Sequence, residues 1–218
     1  MKNFALRFAL AALLLSGAAS VSAADPKWYL GAGVGYSYAN LYASDFSQNV
    51  AGQSESHKYY DAGYKLFAGY QLDRNWALEG SWVTLGKFQY SYHDTGSGQG
   101  DHTLDYKVTG FGASLIPSFS LGDSITIFGR LGVFFSQATQ TVASANGASS
   151  SLTGNGTPQA NQVSPLLGAG FQLAFNPSTA MRIEYENYGK VGTPISEDGT
   201  GSGRAKVQMG SASIVFKF

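Results

Sequence analysis

The chain has 218 residues and sets 14 Lys and Arg against 14 Asp and Glu, a formal net charge of zero. That balance excludes electrostatic nucleic-acid binding, and the absence of Cys excludes disulfides, thiolate metal sites and Cys nucleophiles. Only 13% of residues are charged, while aromatics reach 14% and Gly numbers 28, a mixture suited to a chain solvated partly by lipid.

The first element is a leader. Lys2 and Arg7 form a basic start, Phe8 to Leu15 is an uninterrupted apolar run, and small residues lead to Val21-Ser22-Ala23 or Ser22-Ala23-Ala24. This pattern predicts a signal peptide over residues 1–23, with cleavage after residue 23 or 24. The apolar run is too short to span a bilayer as a helix. The mature domain is then 24–218, and it is exported.

From Trp28 onward the sequence alternates with period two. Trp28, Leu30, Ala32, Val34 and Tyr36 share one parity, and Gly31, Gly33, Gly35 and Ser37 share the other. Successive side chains of a strand point to opposite faces, so one face is apolar and the other nearly bare. The same split recurs over residues 60–72, 76–84, 110–119, 125–135, 163–175, 181–186 and 209–218, which makes eight strands. No segment reaches 18 consecutive apolar residues, so a helical span is excluded. Charges are sorted by face: Lys65, Glu79, Arg130, Arg182, Glu184 and Glu186 all fall on the small or polar side. Asp105 and Lys107 share the parity of Phe111, which places them above the membrane or beyond a bulge.

Connection lengths alternate. Short turns are expected at Asp73-Arg74-Asn75, Leu121 to Ser124, and Asn176-Pro177-Ser178, each with the residues tight turns use. Long polar segments run from Ala43 to Lys58, Ser91 to His102, Ala143 to Gln162 and Val191 to Ala205. An even strand number with alternating turns and loops describes an all-β, eight-stranded antiparallel up-and-down transmembrane β-barrel. Backbone groups in lipid must be paired, so the last strand pairs with the first. Trp28, Tyr70, Trp76, Phe119, Phe175, Phe216 and Phe218 form an aromatic belt at the turn ends. Tyr59, Tyr60, Phe88, Tyr90, Tyr106 and Tyr188 are assigned to a second belt at the loop ends. A soluble lipocalin-like barrel reverses this pattern, with bulky residues inside.

The stretch Val163 to Gly189, VSPLLGAGFQLAFNPSTAMRIEYENYG, resembles the transmembrane domain of the OmpA family, as do WYLGAGVGYS (28–37), GYQLDRNWALEGSW (69–82) and FGRLGVFF (128–135). The resemblance implies a Gram-negative outer-membrane protein, with a monomer favoured. It also implies that the closing SIVFKF, ending on Phe218, is the terminal aromatic signal read by the barrel-assembly machinery. The chain stops at Phe218 without the periplasmic peptidoglycan-binding domain of larger members, so cell-wall tethering is not carried over. The family's interior ionic pairs map partly: Glu79 and Arg182 match one pair, whereas Ile116 and Gln172 replace the lysine and glutamate of the other.

The functional candidates follow from the facing. Glu79, Arg130, Arg182 and Glu184, with Lys65 and Glu186 nearer the loop end, are expected to form a buried, mutually paired cluster. Two readings stand: a packed polar core that plugs the barrel, or a gate on a narrow ion path. An eight-stranded lumen is roughly filled by side chains, and the inward glycines are expected to leave some space for water. His57, His93 and His102 fall in or beside predicted loops, and HDTGSGQGDH (93–102) reads as a solvated loop rather than a metal site. No histidine occupies a membrane-facing strand position, so a lipid hydrolase of the Ser/His/acid kind lacks its base. There is no dinucleotide fingerprint and no Walker lysine. The sequence therefore predicts no enzyme and no cofactor. Its expected contacts are outer-membrane lipids and lipopolysaccharide, with host surfaces or phage meeting loop residues such as Tyr42, Phe46 and Tyr92.

Overall fold

The computed structural model describes residues 27–41, 55–94, 100–144, 159–192 and 205–218. The leader, Tyr42 and Phe46 lie outside them. The strands are β1 (Trp28–Leu41), β2 (Glu55–Lys58), β3 (Tyr60–Gln71), β4 (Trp76–Asp94), β5 (Gly100–Leu121), β6 (Ile125–Ser144), β7 (Gln159–Asn176), β8 (Thr179–Val191) and β9 (Ala205–Lys217). The short β2 and the longer β3 both pair with β4, at Lys58↔Gln89 and Tyr64↔Thr84, so they are two pieces of one barrel wall. Every neighbouring pair is antiparallel, and β1 pairs with β9 from Tyr29↔Lys217 to Leu41↔Ala205. The eight-stranded sheet is closed, which leaves no unpaired edge to meet hydrocarbon.

The turns are built by the residues the sequence offers for them. Asp73 Oδ1 accepts from the backbone N–H of Asn75 at 2.7 Å and of Trp76 at 3.0 Å. Asn176 Oδ1 accepts from the Ser178 N–H at 2.9 Å. Both are side-chain mimics of a backbone turn. Gly122, at φ 73°, supplies the left-handed residue of the turn between β5 and β6.

The facing follows the parity of the sequence. Val34, Leu66, Leu78, Trp82, Phe111, Leu131, Leu167 and Phe171 are exposed on the outer wall, as a lipid-facing band requires. The turn-end belt is also outward, with Trp28, Trp76, Phe119, Phe175, Phe216 and Phe218 exposed.

Several expectations are corrected. The strands continue well past the membrane band: β4 reaches Asp94 and β5 begins at Gly100, so the expected loop Ser91 to His102 is largely a paired hairpin. His57, His93 and His102 accordingly sit in strand backbone. Beyond the lipid, a ladder needs hydrogen bonds but no apolar face, so these extensions carry no alternation to read. The loop-end belt loses two members, because Phe88 and Tyr188 are fully buried inside the barrel. Tyr188 keeps the inward parity of Arg182 and Glu184. Phe88 is turned inward by a bulge in β4 between Thr84 and Lys87, where Gly86 adopts φ 85°. Parity runs unbroken along β5 from Lys107 to Phe111, and Lys107 is exposed on the outer face. Asp105 and Lys107 therefore stand above the apolar band; the nearby bulge belongs to the opposing strand.

Candidate functional site

The interior is layered. At the loop end lies an apolar cluster that includes Val83, Leu85, Phe88, Val108, Phe134, Leu166 and Tyr188, all fully buried. At the turn end lies a second cluster of Tyr29, Phe67, Ala77, Ile116, Phe128, Ala180 and Val215. Between them the structure brings together all six charged residues expected inside: Lys65 from β3, Glu79 from β4, Arg130 from β6, and Arg182, Glu184 and Glu186 from β8. None is more than 4% exposed.

Three cations meet three carboxylates, so the network is neutral. Lys65 Nζ donates to Glu184 Oε2 at 2.5 Å and to Glu186 Oε2 at 2.7 Å. Arg130 is central: its Nε donates to Glu184 Oε1 at 2.6 Å and lies 3.2 Å from Glu186 Oε1, while Nη2 donates to Glu79 Oε1 at 2.6 Å. Arg182 Nη1 donates to the other oxygen of Glu79 at 2.6 Å, and its Nη2 donates to Gln172 Oε1 at 3.3 Å. Two phenols complete the carboxylates: Tyr29 OH donates to Glu79 at 3.0 Å and Tyr188 OH to Glu186 at 2.9 Å. Every charge has an opposite partner, which is the condition under which buried ions persist. Glu79 alone is shared by two arginines, one on β6 and one on β8.

Sequence reasoning missed the aromatic partners. The Arg182 guanidinium lies 4.8 Å from the ring centroids of Phe67 and Phe128 and 5.4 Å from that of Tyr29, a cation–π cage for its charge. The available signal was large aromatics on the otherwise small face. Each is a direct cross-strand neighbour of a glycine: Tyr29↔Gly69, Phe67↔Gly31 and Phe128↔Gly170. A Cβ at Gly31 would collide with the Phe67 ring and one at Gly69 with the Tyr29 ring. These glycines therefore seat rings; they do not leave space for water, which corrects that expectation. Of the two positions where the family's second ionic pair is absent, Ile116 joins the turn-end apolar cluster and Gln172 accepts from Arg182.

Below the network a cavity of about 570 Å³ lies at the turn end, lined by Tyr29, Gln71, Arg74, Phe128, Arg182 and Lys217 among others. Above it stands the apolar cluster of the loop end. Among the described residues no group of three or more His, Asp or Glu could hold a metal ion. Phe218 lies at the end of the β1–β9 seam, where its N–H donates to Trp28 O at 2.9 Å and Trp28 N–H donates to Phe218 O at 3.1 Å.

The model of the OmpA-like transmembrane domain matches residues 23–218. Among solved structures, the outer membrane protein OprG from Pseudomonas aeruginosa is similar at 15% identity and a TM-score of 0.54, over 89% of this chain and 97% of that one. Neisserial surface protein A is similar at 17% identity and a TM-score of 0.51, over 88% and 97% of the respective chains. A search of curated proteins gave no match. The closed barrel and its apolar outer wall thus agree with the sequence match, and the chain belongs to the OmpA-like transmembrane domain family of bacterial outer-membrane β-barrels.

Proposed function

We propose that the protein is a sealed outer-membrane anchor that presents four extracellular loops. The observation that carries this reading is the packing of a neutral, buried ion network against the apolar cluster of the loop end. A conducting pore needs a polar path, and here the apolar cluster of the loop end covers the charges. The proposed contacts of the loops are lipopolysaccharide, host surfaces or phage. The reading is non-enzymatic, supported by the placement of the three histidines, His57, His93 and His102, outside the lipid-facing band. Removal of the leader after residue 23 or 24, and recognition of Phe218 by the assembly machinery, complete the proposed route to the membrane. The outward exposure of Phe218 at the closing seam supports the second step.

A gated channel is the second reading, favoured by one observation: Glu79 is shared by Arg130 and Arg182, so exchange of one arginine for the other would rearrange the network without orphaning a carboxylate. Single-channel recording of the refolded barrel in planar bilayers decides between the two. A silent barrel, for the native protein and for Glu79→Gln alike, is the expected result. Discrete openings altered by Glu79→Gln would replace the anchor by the gate.

A further inference from the structure

Two strands carry the same local device. In β4 the run Leu85-Gly86-Lys87-Phe88, and in β8 the run Tyr188-Gly189-Lys190-Val191, each place a left-handed glycine just before a lysine, with φ 85° at Gly86 and 68° at Gly189. Each coincides with a register shift, between Thr84 and Lys87 against β5 and between Asn187 and Lys190 against β9. The effect on facing is the same in both. Along β4 the odd residues Ala77, Glu79, Ser81, Val83 and Leu85 point inward, so an unbroken strand would carry Lys87 into the lumen. Along β8 the even residues from Ala180 to Tyr188 point inward, so Lys190 would follow them. The bulge turns each lysine to the outer wall and leaves Phe88 and Val191 buried instead.

Each redirected lysine then faces another one. Lys87 pairs with Lys107 across the β4–β5 seam, and Lys190 pairs with Lys206 across the β8–β9 seam. Such neighbours lie about 4.5–5.5 Å apart at Cα, and like charges directly opposite one another are destabilising. None of the four ammonium groups has an ion-pair partner among the described residues. Both pairs lie just beyond the apolar band on the loop side, past Phe111 on β5 and Tyr185 on β8. Going round the barrel the two seams are four apart out of eight, so the pairs occupy opposite walls. The β8–β9 pair is flanked by Asn187, Gln208 and Asn40, with no acidic residue at those positions, and Tyr185 OH donates to Gln208 at 2.6 Å. At the β4–β5 pair Asp61 Oδ2 accepts from the backbone N–H of Lys87 at 2.6 Å, which sets a carboxylate beside it, so the β8–β9 site is the stronger of the two.

We propose that these two lysine pairs are lateral headgroup sites for an outer-leaflet lipid that carries two phosphates on one headgroup. Two closely spaced ammonium groups at headgroup height, on the lipid-facing wall, match two closely spaced phosphates and convert a like-charge repulsion into a shared contact. The proposal rests on the loop end facing outward and is independent of whether the lumen conducts.

The test is lipid binding by the purified barrel in neutral detergent, read by native mass spectrometry with diphosphoryl lipid A as probe. Monophosphoryl lipid A and phosphatidylglycerol serve as comparators. Two diphosphoryl molecules per barrel are expected, one after Lys190→Gln with Lys206→Gln, and none after all four lysines are changed. Each lost site should weaken by about thirty-fold, the effect of two lysines at a membrane surface. All the variants should fold, as heat-modifiable migration will show, since the lysines face outward and their removal relieves repulsion. Lipid-free, the variants should be at least as stable as the native barrel; the stability gained on adding the probe should be smaller in the Lys190→Gln/Lys206→Gln variant and absent in the fourfold variant. Unchanged stoichiometry in the fourfold variant overturns the proposal, as does equal binding of phosphatidylglycerol at both sites.

Discussion

Glu79 holds the network together from below, and its removal is the sharpest test of that arrangement. In Glu79→Gln the shape is kept but the charge is lost, leaving three cations facing two carboxylates. Arg130 retains Glu184 at 2.6 Å and Glu186 at 3.2 Å. Arg182 retains only Gln172 and its aromatic cage. Breaking a buried pair by removing one partner costs roughly 3–5 kcal/mol, because it leaves an uncompensated charge. Arg182 also lines the turn-end cavity, where hydration offsets part of that penalty, so a loss of about 3 kcal/mol is expected. The double variant Glu79→Gln with Arg182→Met restores neutrality and removes the orphan, and replacing a buried pair by uncharged residues is often neutral. It should therefore recover most of the lost stability. Urea unfolding in detergent micelles, followed by heat-modifiable migration and by the fluorescence of outward Trp28, Trp76 and Trp82, measures both variants. If the double variant is no more stable than Glu79→Gln alone, the charge-pairing account of the interior is wrong.

Two further outcomes test the facing and the packing. Leu131 is 53% exposed on the outer wall with Leu115 and Leu167 as its cross-strand neighbours, so Leu131→Arg should cost roughly 2–4 kcal/mol near the bilayer midplane and block stable insertion. Normal heat-modifiable migration of that variant would mean that Leu131 does not meet lipid. Gly31→Ala should destabilise the barrel because the new Cβ meets the Phe67 ring. Adding Phe67→Leu should restore part of the loss in the same urea assay, and an unrestored double variant would show that the ring is not the obstacle.

The architecture is legible in the sequence because a transmembrane strand is forced to alternate. Lipid on one side and a narrow lumen on the other fix the side-chain facing at period two, and Leu66, Leu131 and Phe171 declare one face as plainly as Glu79, Arg130 and Glu184 declare the other. The turns at Asp73 and Asn176 were legible for a similar reason, since their side chains bond to the chain a few residues away. The six interior charges could be named from parity alone. What parity cannot carry is which of them meet: the family resemblance pairs Glu79 with Arg182, 103 residues away, but the contacts of Arg130 with Glu79 and Glu184, and of Lys65 with Glu184 and Glu186, arise only on closure of the barrel. The central place of Arg130, the Tyr29 and Tyr188 hydroxyls on the carboxylates, and the rings seated over Gly31 and Gly69 all depend on that closure. Tertiary structure also decided the two bulges. A single extra residue reverses the facing of everything beyond it, so Phe88 moved into the lumen and Lys87 and Lys190 moved out to the wall. Local sequence fixes the period of a strand, but its phase beyond a bulge is fixed by the partner across the ladder.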